Sequence, residues 1–272
     1  MKLPTPIFII SYNRGAFLRQ AVDSYRKLDR ITDIVIHDNG SDDRETVDTL
    51  SRLERDGCIV IRRSKISRAE ELNNTNKTIY EYFNARRCPS NYVVTDCDVD
   101  MSISRTDALD VYEEILTLCP SVQCVGPMLR IRDIPKNYPL FAHAMNRHIE
   151  QFWHRSPDWI HTRHGPIATI ECLIDTTFAL HRADAPFSRQ KIARRVYHPY
   201  EAKHLDWYLD PATYGQPPYF LSSSSDISHW HNKIAHHESE TQKLRYEHFI
   251  YVDEDENGTP LEKVHYMNRD SE

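Results

Sequence analysis

Short apolar runs that end in polar residues recur along the first hundred positions of the chain. They are PIFIISYN (residues 6–13), DIVIHDNGSDD (33–43), CIVIRR (58–63) and SNYVVTD (90–96). Each predicts a buried strand, because the strands of a sheet that is covered on both faces are apolar along most of their length. A later run, QCVGPMLRI (123–131), predicts another strand of the same kind.

Amphipathic stretches separate these runs. Apolar residues recur at helical spacing in GAFLRQAVDSYRKL (15–28), ETVDTLSRLERDG (45–57), SRAEELNNTNKTIYEYFNARR (67–87) and RTDALDVYEEILTLCP (105–120). Strands that alternate with helices predict an α/β fold with a mostly parallel sheet flanked by helices. In such folds, ligands bind beyond the carboxyl ends of the strands.

The pattern loosens after residue 134, where Trp, His and Pro become frequent. We therefore divide the chain into residues 1–134 and a second half, residues 135–272, whose pattern of strands and helices is less regular. Within that half, the basic segment RQKIARR (189–195) predicts a short solvated helix, which is a candidate for contact with a membrane surface.

Composition excludes several classes of function. The formal net charge of -6 and the pI near 6.2 lack the basic excess that a nucleic-acid binder needs, so we expect no nucleic-acid partner. No apolar stretch approaches the roughly 20 residues that cross a bilayer, and the N-terminus shows no secretory signal pattern, so we expect a cytoplasmic protein. The six cysteines form no C-x-x-C pair, and no glycine-rich phosphate-binding motif is present.

The densest chemical signal is the run YVVTDCDVDM (92–101). It places Asp96, Asp98 and Asp100 at alternate positions directly after an apolar run. Carboxylates this close repel one another and are costly to desolvate, so a fold retains them where a cation or a hydrogen-bonding ligand lies between them. The alternative is that these aspartates only cap the helix that follows.

Three motifs in this order resemble the N-terminal half of the GT-A fold glycosyltransferases, particularly the large family 2. They are SYNR (11–14), HDNGSDD (37–43) and the D-x-D formed by Asp96 and Asp98. Later segments are similar to those of a bacterial subgroup of these enzymes, namely IDTTFALHR (174–182), HLDWYLD (204–210) and SHWHN (228–232). The resemblance implies a nucleotide-sugar-binding half in residues 1–134 and an acceptor-binding half in residues 135–272.

The resemblance also implies a divalent cation, Mn²⁺ or Mg²⁺, because the diphosphate of a nucleotide-sugar leaves with negative charge that a metal can stabilise. Hard cations prefer carboxylate oxygens. We expect Asp98 to ligate the metal and Asp96 to face the donor ribose, while Asp100 is expected either to support the metal ligands or to begin the helix that follows. His229 is the expected late histidine ligand, with Trp230 beside the diphosphate, and His231 is its substitute.

The same resemblance assigns residues to the nucleotide. Ser11, Tyr12 and Asn13 are expected to line the base pocket, with Tyr12 stacking near the base, and Arg14 is expected to approach phosphate. Asp38 is expected to accept a hydrogen bond from the base. The segment ISRAEELNNTN departs from the family pattern, but Arg68 remains a candidate cation near the donor and Asn73 or Asn76 a sugar contact; the alternative is a solvated helix start.

An inverting reaction requires a general base for the acceptor hydroxyl. Two aspartates are candidates, Asp206 and Asp175, and Asp206 is preferred. Their structural alternatives are a helix cap for Asp206 and bonding to neighbouring threonines for Asp175. Five aromatic residues are candidates for a sugar platform or, alternatively, for core positions: Trp153, Trp159, Trp207, Tyr208 and Tyr219.

The predicted activity is therefore metal-dependent transfer of a sugar from a nucleotide-sugar, with UDP as the expected carrier, to a glycan or lipid-linked saccharide acceptor with inversion. One rival is a sugar-1-phosphate nucleotidyltransferase, which would carry a glycine- and lysine-rich loop where this chain has SYNRGAF. The other is a binding module without catalysis. Intact candidate ligands disfavour the module.

Overall fold

The computed structural model describes residues 3–66, 69–183, 185–209 and 243–267. Its strands are β1 (Thr5–Ser11), β2 (Thr32–Asp38), β3 (Ile59–Arg62), β4 (Tyr92–Asp96), β5 (Val99–Asp100), β6 (Cys124–Pro127), β7 (Asp158–Thr162), β8 (Gly165–Ile174), β9 (Ala179–His181), β10 (Lys191–Val196), β11 (Lys203–His204), β12 (His248–Glu254) and β13 (Pro260–Tyr266). Its α-helices are α1 (Gly15–Tyr25), α2 (Arg44–Arg55), α3 (Thr75–Arg86), α4 (Ala108–Leu118) and α5 (Phe141–His148). Short 3₁₀ turns span Ala69–Asn74 and Leu205–Tyr208, and a π-helical turn, Ile149–Trp153, continues α5.

Nine strands form one sheet in the order β3-β2-β1-β4-β9-β6-β10-β8-β7. Neighbours from β3 to β4 are parallel, and β6 is parallel to β10. The strand β9 runs antiparallel to both of its neighbours, and β8 and β7 form an antiparallel edge. The predicted α/β class, with a parallel core flanked by helices, is confirmed.

Helices cover both faces of the parallel core. On one face, Ile79 and Tyr82 of α3 pack on Phe8 and Val35. On the other face, α1, α2 and α4 share one large core cluster with the alternate strand residues, such as Ile9. The apolar strands are therefore buried from both sides, which is why they carry no alternating polar pattern.

Strands from before and after residue 134 alternate in the sheet, since β9 lies between β4 and β6, and β10 lies beyond β6. The predicted division at this residue therefore separates two stretches of chain that share one sheet. As a division between donor-binding and acceptor-binding halves, it stays a prediction.

The prediction of a solvated helix at RQKIARR is wrong, because the segment forms strand β10 from Lys191 onward. Lys191 and Arg195 are buried, and their charges are directed to backbone carbonyl groups of Pro186 and Pro127. Buried residues alternate with more exposed ones from Lys191 to Arg195, as in a strand, but the basic composition of the segment did not suggest one. The prediction of a helix at this position is therefore wrong, and contact of this segment with a membrane surface stays a prediction.

Two small strand pairs complete the described structure. The strand β11 pairs antiparallel with β5, directly after Asp98, and β12 pairs with β13 around the acidic turn DEDENG. Among the described residues, no helix is long and apolar enough to span a membrane.

Candidate active site

The carboxyl ends of β1, β2 and β4 bring the predicted donor-binding residues together. Ser11 at the end of β1 is in register with Asp38 at the end of β2, and Ile10 is in register with Asp96 at the end of β4. Because these strands are parallel neighbours, the three loops that follow them lie side by side at the carboxyl ends of the strands. The sequence-based expectation that these residues lie together is met; their roles stay predictions.

Asn13 ties two of these loops together. Its side-chain oxygen accepts the backbone N–H groups of Asp42 at 2.9 Å and Asp43 at 3.1 Å, and its amide nitrogen donates to the Asp42 carboxylate at 2.7 Å. Its backbone N–H donates to the Ser41 hydroxyl at 2.9 Å. The backbone of Asn13 has φ 45, a left-handed conformation that asparagine adopts more readily than most residues. In this structure Asn13 therefore organises the site by joining the loops.

Asp38 is buried and also holds its own loop. One of its carboxylate oxygens accepts the Ser41 hydroxyl at 2.5 Å, and the other accepts the Ser41 N–H at 2.9 Å. Nearby, the Lys65 ammonium lies 5.4 Å from the centre of the Tyr12 ring. The Ser11 hydroxyl is buried and has no hydrogen-bond partner in the described part of the chain.

The acidic loop meets the C-terminal half at a cluster of charged groups. Asp98, His204 and Asp206 each present a ligand atom, and these atoms lie within 4.8 Å of one another. The Arg14 guanidinium bridges the two carboxylates, donating from Nη1 to Asp98 and from Nη2 to Asp206 at 2.9 Å. The His204 Nε2 atom lies 3.7 Å from the Asp98 carboxylate.

Backbone pairing explains why His204 is in this position. His204 in β11 is in register with Val99 in β5, and the Leu205 N–H donates to the Asp98 carbonyl at 2.7 Å. The ring of Trp207 stacks on the His204 ring, with centroids 4.7 Å apart and planes at 11°. Sequence reasoning did not identify His204, although the His-x-Asp spacing at the start of HLDWYLD was a usable signal.

The candidate ligand atoms of Asp98, His204 and Asp206 fit a divalent cation. One carboxylate oxygen of Asp98 and one of Asp206 are buried without a hydrogen-bond partner among the described residues. Buried carboxylate oxygens are normally satisfied, so this pair is consistent with a ligand site. Two carboxylates and one imidazole suit Mn²⁺ or Mg²⁺ better than a soft metal.

The pKa values of the three aspartates in this region are shifted in different directions. Burial opposes the charge on Asp98, but His204 and Arg14 together hold the pKa of this carboxyl below its usual value. Burial raises the pKa of Asp206; Arg14 opposes this rise and Asp98 adds to it. Burial and the neighbouring Asp98 raise the pKa of Asp96 to about 7. Asp98 is thus the member best suited to stay ionised.

The loop between β8 and β9 contains Asp175 and Thr176, and it bonds to Asp96. The Thr176 hydroxyl donates to the Asp96 carboxylate, and the Asp96 N–H donates to the Thr176 carbonyl at 2.7 Å. Both oxygens of the adjacent Asp175 accept from Arg189, at 2.6 and 2.8 Å. Asp175 therefore bonds to an arginine, where the sequence alternative had threonines.

Asp100 bonds to its own loop and to α1, and the helix that follows begins later, with Asp107 at its N-cap. Its carboxylate accepts the Ser102 N–H at 2.7 Å, the Ser102 hydroxyl at 2.9 Å and the Gln20 amide at 2.8 Å. The side chain of Asn76 bonds to the backbone of Phe187 in both directions, so it has a structural contact where a sugar contact was considered. Asn73 is exposed in the 3₁₀ turn before α3.

The aromatic candidates for a sugar platform are divided by burial. Trp153 and Trp207 are fully buried in the core, and Trp159 is partly exposed on β7. The Tyr208 hydroxyl donates to Asp133 at 2.6 Å. The expected contacts assigned to Arg68, Tyr219, His229, Trp230 and His231 lie outside the described residues.

A family model matches part of the chain. Residues 7–73 match the model described as Glycosyl transferase family 2, and this stretch contains SYNR and HDNGSDD. The match confirms the resemblance drawn from these motifs and, with the strand order described above, the GT-A type of fold. The sequence matches none of the curated proteins with which it was compared.

Solved structures show a weaker likeness. The mannosyltransferase PcManGT from Pyrobaculum calidifontis, in complex with GDP-Man and Mn²⁺, is 16% identical, with a TM-score of 0.38 over 65% of this chain and 44% of that one. TarS from S. aureus is 11% identical, with a TM-score of 0.40 over 66% of this chain and 47% of that one. A 4-diphosphocytidyl-2C-methyl-D-erythritol synthase is 13% identical, with a TM-score of 0.32 over 48% of this chain and 65% of that one. This chain thus spans less than half the length of the first two, and likenesses at these scores carry no argument about its activity.

Proposed function

We propose that this protein is a metal-dependent glycosyltransferase that moves a sugar from a nucleotide-sugar, with a UDP-sugar as the expected donor, to a glycan or lipid-linked saccharide acceptor with inversion. The observation that carries the proposal is the cluster of Asp98, His204 and Asp206. It lies where the loop after β4 meets the loops that hold Arg14 and Asp38, so an ion and a nucleotide would bind together at the carboxyl ends of the strands.

Asp98 and His204 are the proposed ligands of a divalent ion. When bound, such an ion stabilises the negative charge that develops on the diphosphate leaving group. Asp98 is suited to this position because its pKa is held low and it is ionised at neutral pH. The stacking of His204 on Trp207 fixes the plane of the imidazole before any ligand arrives.

The loops after β1 and β2 are proposed to hold the nucleoside. The Tyr12 ring offers a stacking surface for the base, and the Lys65 ammonium, which lies over the ring at 5.4 Å from its centre, is a cation near the phosphates or a base carbonyl. Asp38 retains lone pairs that can accept from a base N–H while it holds Ser41. Asp96, fixed by Thr176, is proposed to accept from a ribose hydroxyl.

Asp206 is the proposed general base. One of its oxygens is buried without a partner in the described chain, whereas Arg189 engages both oxygens of Asp175. Burial raises the pKa of Asp206 above its usual value, which makes its carboxylate a better proton acceptor. Its closeness to Asp98 also qualifies Asp206 as an ion ligand, and its asparagine variant separates the two roles, as described below.

The experiment that tests the function is a screen of nucleotide-sugars with the purified chain and Mn²⁺. Release of free UDP, GDP or CDP is measured with and without mixed glycan acceptors. Nucleotide release from one donor class, abolished by chelation and by Asp98→Asn, supports the proposal. Formation of a nucleotide-sugar from a sugar phosphate and a nucleoside triphosphate would identify a nucleotidyltransferase instead, and binding without turnover of any donor would identify a binding module.

A further inference from the structure

Arg14 occupies the space between the two carboxylates at the centre of the site. It is the residue directly before α1, and its side chain is 9% exposed, against 6% for Asp98 and 2% for Asp206. Each carboxylate uses one oxygen for the guanidinium, and each has its second oxygen buried without a partner in the part of the chain that the structure describes. The pair is therefore partly neutralised by an internal cation.

A guanidinium and a divalent ion cannot both be bound close to these carboxylates without strong repulsion, since like charges a few ångströms apart in a buried site interact far more strongly than in water. Yet removing the guanidinium with nothing in its place leaves two buried carboxylates that repel each other. One cation is required at this point, and the presence of two is unfavourable.

We propose that Arg14 is an exchangeable counter-ion, which holds Asp98 and Asp206 together before a divalent ion binds and is displaced from Asp98 when the ion arrives. This inference rests on the proposed function for the identity of the ion. Arg14 is a positioning residue in this arrangement. Once displaced, its guanidinium can pair with the diphosphate, since a planar guanidinium suits two phosphate oxygens.

The displacement makes binding of the ion and of Arg14 mutually exclusive, so the affinity for the ion alone depends on the charge at position 14. The test is calorimetric titration of the full chain with Mn²⁺ alone, without nucleotide. Four variants accompany the wild type: Arg14→Gln and Arg14→Met, which remove the charge; Arg14→Lys, which keeps it; and the control Arg30→Met.

Arg30 is a matched control because it also bridges two carboxylates. Its guanidinium donates to Asp110 and to Glu113, the latter at 2.8 Å. Arg30 lies just before β2, at the amino end of that strand, whereas the candidate site lies at the carboxyl ends. Both arginines are buried, but Asp110 and Glu113 are 31% and 36% exposed, so Arg30→Met controls for the loss of an arginine bridge away from the proposed ion site.

We expect Arg14→Gln and Arg14→Met to bind Mn²⁺ about tenfold more tightly than the wild type, or better, since the competing charge is gone. Arg14→Lys and Arg30→Met should stay within about threefold of the wild type. The melting temperature is the second readout: Mn²⁺ should stabilise Arg14→Gln more than it stabilises the wild type, because only the variant lacks an internal cation. Arg14→Gln keeps a hydrogen-bond donor and serves if the methionine variant does not fold.

Unchanged or weaker Mn²⁺ binding by Arg14→Gln overturns the inference, and so does the absence of Mn²⁺ binding in every variant. The same measurements distinguish failure of this inference from failure of the proposed function. If the wild type turns over no nucleotide-sugar while Arg14→Gln binds Mn²⁺ more tightly, the exchange stands and the activity does not. If a donor is turned over while Arg14→Gln shows no gain, the activity stands and the exchange does not.

Discussion

The N–H of Leu205 donates to the carbonyl oxygen of Asp98 at 2.7 Å, and this bond joins residues more than a hundred positions apart in the chain. It continues the pairing of β5 with β11, which places His204 and Asp206 on either side of Leu205 beside the acidic loop. The bond explains how HLDWYLD and DCDVD, separate motifs in the sequence, form one cluster.

This pairing makes His204 a testable ligand. We expect His204→Gln to weaken Mn²⁺ binding about tenfold or more, because glutamine replaces an imidazole nitrogen with poorer ligand atoms. Calorimetric titration measures the effect, and His161→Gln, which changes an exposed histidine on β7, is the control and should bind as the wild type does. Wild-type Mn²⁺ affinity in His204→Gln would show that the ion is held elsewhere.

The two candidate bases are separated by their asparagine variants. We expect Asp206→Asn to retain Mn²⁺ and UDP binding and to lose sugar transfer by about 10²-fold or more, because the acceptor hydroxyl then has no base. Asp175→Asn should lose less than about tenfold, since its carboxylate is already neutralised by Arg189. Loss of Mn²⁺ binding in Asp206→Asn would make this residue an ion ligand, and a larger loss of transfer in Asp175→Asn would make that residue the base.

Asn13 should be important for stability as well as for the site. We expect Asn13→Gly to lower the free energy of unfolding by about 2–3 kcal/mol, because three side-chain hydrogen bonds to Asp42 and Asp43 are lost at about 1 kcal/mol each. Glycine accepts the left-handed backbone, so strain does not contribute. Chemical denaturation measures the change.

The control for Asn13 is Arg87→Gly. Arg87 is an exposed residue that also has a left-handed backbone, with φ 52, where α3 ends. We expect this variant to match the wild type or to exceed it slightly, because glycine relieves the strain there. Equal stability of the two glycine variants would contradict the role assigned to the Asn13 side chain.

His37 predicts a pH dependence of stability. It is fully buried between Thr78 and Asn39, and burial lowers its pKa to about 4. The unfolded chain therefore binds this proton more readily, because its pKa there is about 6.5. The contribution of His37 to the free energy of unfolding is complete above pH 6.5 and is lost as the pH falls towards 4.

At pH 5 the loss from this one group is about 2 kcal/mol relative to neutral pH. We expect His37→Gln, which keeps hydrogen-bonding groups without titrating, to show a flatter decline in unfolding free energy between pH 7 and pH 5. His161→Gln should decline as the wild type does. A decline in His37→Gln as steep as that of the wild type would mean that the pKa of His37 does not differ between the folded and unfolded chains.

Local pattern was enough to predict much of the parallel core. Ile7, Ile9 and Val93 lie in apolar runs whose strands are buried on both faces, and the polar residues that end these strands are brought together by parallel pairing. The same reasoning predicted α2, where Asp43 from the turn cluster caps the helix by accepting the Thr46 N–H at 2.9 Å.

Sequence patterns failed to predict the structure where tertiary contacts determine it. The basic residues of β10 suggested a solvated helix, because nothing local shows that Arg195 would bond to the Pro127 carbonyl inside the sheet. The position of His204 depends on pairing between two-residue strands, which have no periodicity to detect. Arg14 was expected to face phosphate, and its bridge between Asp98 and Asp206 depends on contacts from opposite ends of the chain.

The central claim is that the loop at Asp98 holds a divalent ion together with the diphosphate of a nucleotide. Calorimetric titration of the wild type and of Asp98→Asn with UDP, in Mn²⁺ and in metal-free buffer, tests it most directly. We predict that UDP binds the wild type at least about tenfold more tightly with Mn²⁺ than without it, and that Asp98→Asn loses this difference. Equal UDP affinity with and without Mn²⁺ in the wild type, or an undiminished Mn²⁺ effect in Asp98→Asn, would contradict the account.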